Sequence, residues 1–154
     1  MKKTQRIKER LNSHRELLEK LAALKQELEF AAEAYGSPRA LDYSGMPRGS
    51  GDGTSQTERV VLRKMALEER VRQKEAEVAD DWAELEPFVE QLAPAETLVL
   101  NLRYFYGAEW RDICQQIYGK RKDFDLEADK YMDKIFKTHG RALLALSDLY
   151  TGAP

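Results

Sequence analysis

Two long stretches of this chain place apolar residues at spacings of three and four, and that pattern limits the fold more than any other feature. In the first, Ile7, Leu11, His14, Leu18, Leu21, Leu28, Ala32 and Tyr35 recur, with Lys25 in the one intervening slot and Leu17, Leu24 and Ala31 widening the stripe. In the second, Val60, Lys64, Leu67, Val71, Lys74, Val78, Trp82 and Leu85 repeat it. Such a period predicts amphipathic helices, each needing a partner for its apolar face. The remaining residues of the first stretch are mostly Leu, Glu, Lys and Ala, all strong helix formers.

The punctuation agrees with the pattern. Gly36-Ser37-Pro38 predicts the end of the first helix. Ser55 or Thr57 is suited to open the second, with Glu58 in its first turn, and Pro87 is expected to end or kink it near Glu86. Between them lies YGSPRALDYSGMPRGSGDGTSQ, which holds five of the nine glycines and shows no apolar period. A flexible loop over residues 36–56 is therefore expected. Two stripes of similar length fit an antiparallel coiled-coil hairpin over residues 1–86, or a homo-oligomer built through it. Lys64 and Lys74 make the seam imperfect.

From Phe88 onward the character changes. Phe88, Val89 and Leu92 form a short apolar turn, and Ala93-Pro94 starts a helix bearing Leu98, Val99, Leu102, Phe105 and Tyr106, which Gly107 should stop. A second short helix, about Glu109 to Tyr118, would bury Trp110, Ile113, Cys114 and Ile117. A final helix carries Ile135, Phe136, Leu143, Leu146 and Leu149. The chain is thus expected to be all-α, with a compact domain over residues 87–154. Tyr104, Phe105, Trp110, Ile135 and Phe136 are expected in the core, and Arg103 beside an acidic neighbour. Cys114 is read as a buried, inert thiol, and His139 as a residue that packs or caps within its own turn.

With 154 residues, 34% of them charged and 42% apolar, the core can only be modest. No run approaches a membrane span, and MKKTQRIKER leads into charged sequence, so a cytoplasmic protein is expected. The single cysteine excludes an intramolecular disulfide. No glycine-rich phosphate loop, nucleophile–base pair or metal-ligand spacing is present, so neither an enzyme nor a cofactor is expected.

Net charge is −2, yet the distribution is uneven. Lys120, Arg121 and Lys122 precede an acidic block of Asp123, Asp125, Glu127 and Asp129; Lys130, Lys134, Lys137 and Arg141 follow, interrupted by Asp133. A local basic face on a globally acidic protein is what a phosphate would meet.

Helix, tight turn and helix, followed by a helix with basic positions, is the order of a helix-turn-helix unit. The run VLNLRYFYGAEWRDICQQIYG followed by HGRALLAL resembles sigma-70 region 4, in the form carried by phage ArpU/RinA-type transcriptional regulators. Leu100, Leu102, Arg103, Tyr104, Gly107, Trp110, Ile113, Gly119, His139, Arg141, Ala142 and Leu143 carry the likeness, and the loop YSGMPRGSG is similar to one in related phage proteins. The resemblance implies a phage or prophage activator of late genes that binds double-stranded DNA and touches bacterial RNA polymerase. The helix entering the major groove would run from about Lys130 to Leu149. Lys130, Tyr131, Asp133, Lys134 and Lys137 are then the groove candidates, with Arg141, Lys120, Arg121 and Lys122 nearer the backbone. Here KRKDFDLEADKYM lengthens the junction by roughly ten residues over the family pattern; either the last helix is extended or the insert forms its own turn beside it. Two other classes fit the same elements: a DNA-packaging protein like a terminase small subunit, and a helical interaction module that binds no DNA.

Overall fold

The computed structural model describes residues 2–36 and 56–151. The expected loop at 36–56 lies, but for its two end residues, outside them. Among the described residues every regular element is helical and no strand occurs, so the fold is all-α. A single 3-10 turn, Lys2–Thr4, leads into α1 (Gln5–Gly36). There follow α2 (Gln56–Val89), α3 (Pro94–Leu100), α4 (Trp110–Tyr118) and α5 (Ala128–Thr151). Between α3 and α4, Asn101–Phe105 continues the helix with one wider, π-type turn.

The chain divides into two compact units, Leu17–Val78 and Met1–Glu16 with Ala79–Pro154. In the first, α1 and α2 run antiparallel: Lys25 pairs with Glu75 at 3.3 Å, and Arg63 reaches back to Glu27 at 2.9 Å. Leu21, Ala31, Leu67 and Val71 are buried along the seam. Ala31 takes the place expected of Ala32, which is exposed. Lys74, on the expected seam, is half-buried and keeps its ammonium on Glu77 at 2.8 Å. Burying the stem while the charge stays wet lets a lysine sit on a seam.

The second unit joins the first part of α1 and the last part of α2 to the C-terminal helices. Ile7 and Leu11 from α1 and Trp82, Leu85 and Val89 from α2 form one buried cluster with Leu100, Tyr104, Ala142, Leu143 and Leu146. The division therefore differs from the one expected at 86/87, because residues 1–16 and 79–86 supply four of the ten buried members of that core. Each Leu, Ile or Val among them contributes roughly 1.5–3 kcal/mol on leaving water.

His14 is fully buried here, its Nδ1 2.7 Å from Asp81 Oδ2 and its ring 5.2 Å from Trp82. Arg10 joins Asp81 at 2.9 Å. Burial works against the Asp81 carboxylate, but hydrogen bonds from Arg10 and His14 outweigh it and hold its pKa below the ordinary value. Arg10 is likewise raised: burial opposes its charge, and the bond and charge of Asp81 outweigh that, with help from Tyr150.

Pro87 does not end α2 near Glu86; the helix runs on to Val89. The ring sits in the last turn, where only one helical bond is lost. Beyond it Val89 is buried, and Phe88 meets Tyr150 edge-on at 5.5 Å. Ala93 is extended, Pro94 takes the first position of α3, and the Thr97 hydroxyl donates to the Val89 carbonyl at 2.9 Å. At the far end of the unit, Ser147 donates to the Lys3 carbonyl at 2.6 Å and Lys3 pairs with Asp148 at 2.7 Å.

Candidate nucleic-acid interface

A face that reads or grips a polymer must first be held still. α5 is held by a buried cluster of Val99, Ile113, Cys114, Tyr131 and Ile135, against which Leu102, Trp110, Ile117 and Phe124 pack. The corner between α3 and α4 is closed by three bonds. Tyr106 N–H reaches five residues back to Asn101 at 3.0 Å, Ala108 N–H reaches Leu102 at 2.9 Å, and Arg103 donates to the Ala108 carbonyl at 3.1 Å. Gly107 sits between them with φ 73°, the left-handed conformation that ends a helix.

The Arg103 guanidinium lies 4.4 Å above the Trp110 ring, so it pins the turn to α4. Trp110 in turn meets His139 and Phe136 of α5, at 4.7 and 5.2 Å between ring centres. His139 Nε2 lies 2.9 Å from the Tyr104 hydroxyl. Burial, then the charges of Arg103 and Lys8, push the His139 imidazole down to about 4, so it is neutral near pH 7. It is a packing residue that ties α5 to the corner, across the molecule rather than within its own turn.

Outward from this core, α5 presents Lys130, Asp133, Lys134, Lys137 and Arg141, all exposed. Their spacing of three, four, seven and eleven from Lys130 puts them on one face over three turns. Lys134 Nζ lies 5.3 Å from the Tyr131 ring centre and 6.0 Å from that of Tyr118. Lys137 pairs with Asp133 at 3.2 Å, one turn back. Arg141 donates to Thr138 Oγ1 at 3.2 Å, and Thr138 donates to the Lys134 carbonyl at 2.9 Å. An exposed pair four apart on a helix is worth only about 0.3–0.5 kcal/mol, so Lys137 is readily given up to a phosphate.

Two expectations fail on this helix. Tyr131 is not a groove residue: it is buried, stacked on Tyr118 at 4.7 Å and on Phe124 at 6.1 Å, and its hydroxyl donates to Asp123 at 2.6 Å. It lies four residues before Ile135, on the apolar face. Phe136 is not fully in the core but 46% exposed, because it stands about 100° round the helix from Ile135. Phe105, likewise expected in the core, is half exposed and touches Trp82 edge-on.

The acidic insert forms its own turns and does not lengthen α5. Arg121 N–H bonds to Tyr118 at 3.0 Å, Phe124 to Arg121 at 3.1 Å, and Glu127 to Asp123 at 2.8 Å, after which α5 begins at Ala128. These turns fold back so that Phe124 reaches Tyr131. Lys120, Arg121 and Lys122 are all exposed on the first of them. Arg121 lies 6.0 Å from the Tyr118 ring centre, and both it and Lys130 help to lower the Asp123 carboxyl, after the leading effect of the Tyr131 hydrogen bond. The structure thus brings Arg121 and Lys134 to one aromatic stack.

Two contributors escaped the sequence reading. Thr138 orients Arg141, and its place three residues before Arg141 and four after Lys134 was the available signal. Asp123 was counted only as part of an acidic run, and a bond to a residue eight positions on leaves no local trace. Among the described residues no cluster of three His, Cys, Asp or Glu is placed to hold a metal ion, and no helix is long and apolar enough to cross a membrane. No family model, curated protein or solved structure matches the chain.

Proposed function

We propose that this chain is a sequence-specific DNA-binding regulator of transcription, of the ArpU/RinA kind that its sequence resembles, acting in a bacterial cytoplasm on phage or prophage late genes. The observation that carries this reading is the stripe of Lys130, Lys134, Lys137 and Arg141 on one exposed face of α5, backed by a helix corner that fixes its direction. Four cations on 16 Å or so of helix suit a run of phosphates or guanine edges, since α-helices fit the major groove. Asp133 between them is the residue suited to accept from a cytosine amino group once Lys137 leaves it. Contact with RNA polymerase and self-association through the paired helices belong to the same proposal and rest on the resemblance.

The test is selection from a duplex library across a salt series. A dominant sequence is expected, with log affinity falling steeply against log salt. Reversing Lys134→Glu and Lys137→Glu together should abolish selection and flatten the slope by about two, at nearly unchanged thermal stability, since both side chains are exposed. If selection survives that double reversal, the interface lies elsewhere; if no duplex is retained even at low salt, the reading fails.

A further inference from the structure

One carboxylate of the acidic insert is fixed against the buried aromatic stack at the start of α5. Asp123 accepts the Tyr131 hydroxyl at 2.6 Å. Tyr131 is buried between Tyr118 and Phe124, so the bond anchors the carboxylate to a rigid stack. The same stack carries Lys134 at 5.3 Å from the Tyr131 ring, Lys130 is the residue before Tyr131, and the Arg121 carbonyl accepts the Phe124 amide at 3.1 Å. Asp125 and Glu127, on the turns, and Asp129, in the first turn of α5, are by contrast exposed.

Resting on the DNA-binding reading above, we propose that Asp123, anchored by Tyr131, is a built-in counter-anion on the side of Arg121 and Lys130 that stands in for a backbone phosphate at the start of the α5 face. It weakens the indiscriminate attraction of this face for any duplex and leaves Lys137 and Arg141, further along α5, to contacts that depend on sequence. Non-specific binding is supplied almost wholly by phosphate neutralisation, so a fixed anion in the patch lowers it more than it lowers recognition by base edges. The partner is double-stranded DNA, and the quantity controlled is the ratio of selected to random binding.

Asp123→Asn removes the charge but keeps a carbonyl able to accept the Tyr131 hydroxyl, so the stack should remain and the thermal midpoint should barely move. With the full chain, the selected duplex and a random duplex of equal length are titrated from roughly 50 to 200 mM salt. Asp123→Asn is expected to tighten random-duplex binding several-fold at the low end, to steepen its salt slope by about one, and to narrow the selected-to-random ratio. Asp125→Asn changes net charge equally within the same insert and is expected to do much less. Tyr131→Phe keeps the ring and the charge but releases the anchor, and should shift random binding in the same direction as Asp123→Asn. Should Asp125→Asn match Asp123→Asn, or the ratio stay constant in both, the anchored counter-anion is wrong while the DNA reading stands. Should the unsubstituted chain bind neither duplex, both fall together.

Discussion

At Gly107 the backbone φ of 73° is one that side chains with a Cβ rarely adopt. The turn it permits carries the bonds from Tyr106 to Asn101 and from Ala108 to Leu102, so a substitution strains them all. Gly107→Ala is expected to cost about 1–3 kcal/mol, read as a lower denaturant midpoint at an unchanged slope. His139 makes a second prediction, in pH. Its imidazole titrates at about 4 in the fold against an ordinary 6.5, so the unfolded chain takes the proton first. The stability this confers is complete above pH 6.5, falls as pH drops through the interval to about 4, and loses nothing further below. His139→Gln should flatten the melting temperature against pH across that interval; an unchanged profile would mean the ring is not held neutral. Asp81 has its window lower. Its carboxyl is held below the ordinary value, so its contribution is present above the unfolded carboxylate range and is lost as pH falls through the folded pKa.

The elements were legible where period and punctuation coincide. Gly36 ends α1, α2 opens at Gln56 between the two expected caps, and α4 and α5 fall within about two residues of their expected spans. Pro87 did not mark the end of α2 because the helix continues for two residues beyond it, to Val89. Pro87→Ala is accordingly expected to change stability by under about 1 kcal/mol, not the roughly 3 kcal/mol of an interior site, as urea unfolding would show. On α5 the cations were legible, since exposed lysines follow the complement of an apolar stripe. Tyr131 was not, because an amphipathic side chain reads equally well as core or as contact until its neighbours are known. The Arg103 contacts with the Ala108 carbonyl and the Trp110 indole face were not legible for a related reason: neither leaves a charge in the sequence.

At the scale of the whole molecule, the unit that carries α5 is assembled from both ends of the chain. Ile7 and Leu11 sit beside Leu146 in one cluster, and Trp82 and Leu85 come from the far end of α2. A fragment of residues 87–154 therefore lacks four of the ten buried members of that cluster. It is expected to melt without a cooperative transition, whereas the full chain should show a sharp one; a sharp melt of the fragment by calorimetry would overturn this account of the core. Deleting residues 1–16 should likewise destabilise α5, although none of them lies on its lysine-bearing face. This was not legible, since periodicity assigns each residue to a helix but says nothing of which helix end joins which core.

Cys114 is 3% exposed, its thiol is pushed up by burial, and no second cysteine exists to compete with it. The chain therefore contains its own chemical stopwatch. An aromatic disulfide reagent can reach this sulfur only when the layer between α4 and α5 parts, so the labelling rate counts those openings directly. On the proposed reading, a duplex bound to α5 should slow the clock, reporting engagement from inside the protein without a dye on the lysine-bearing face.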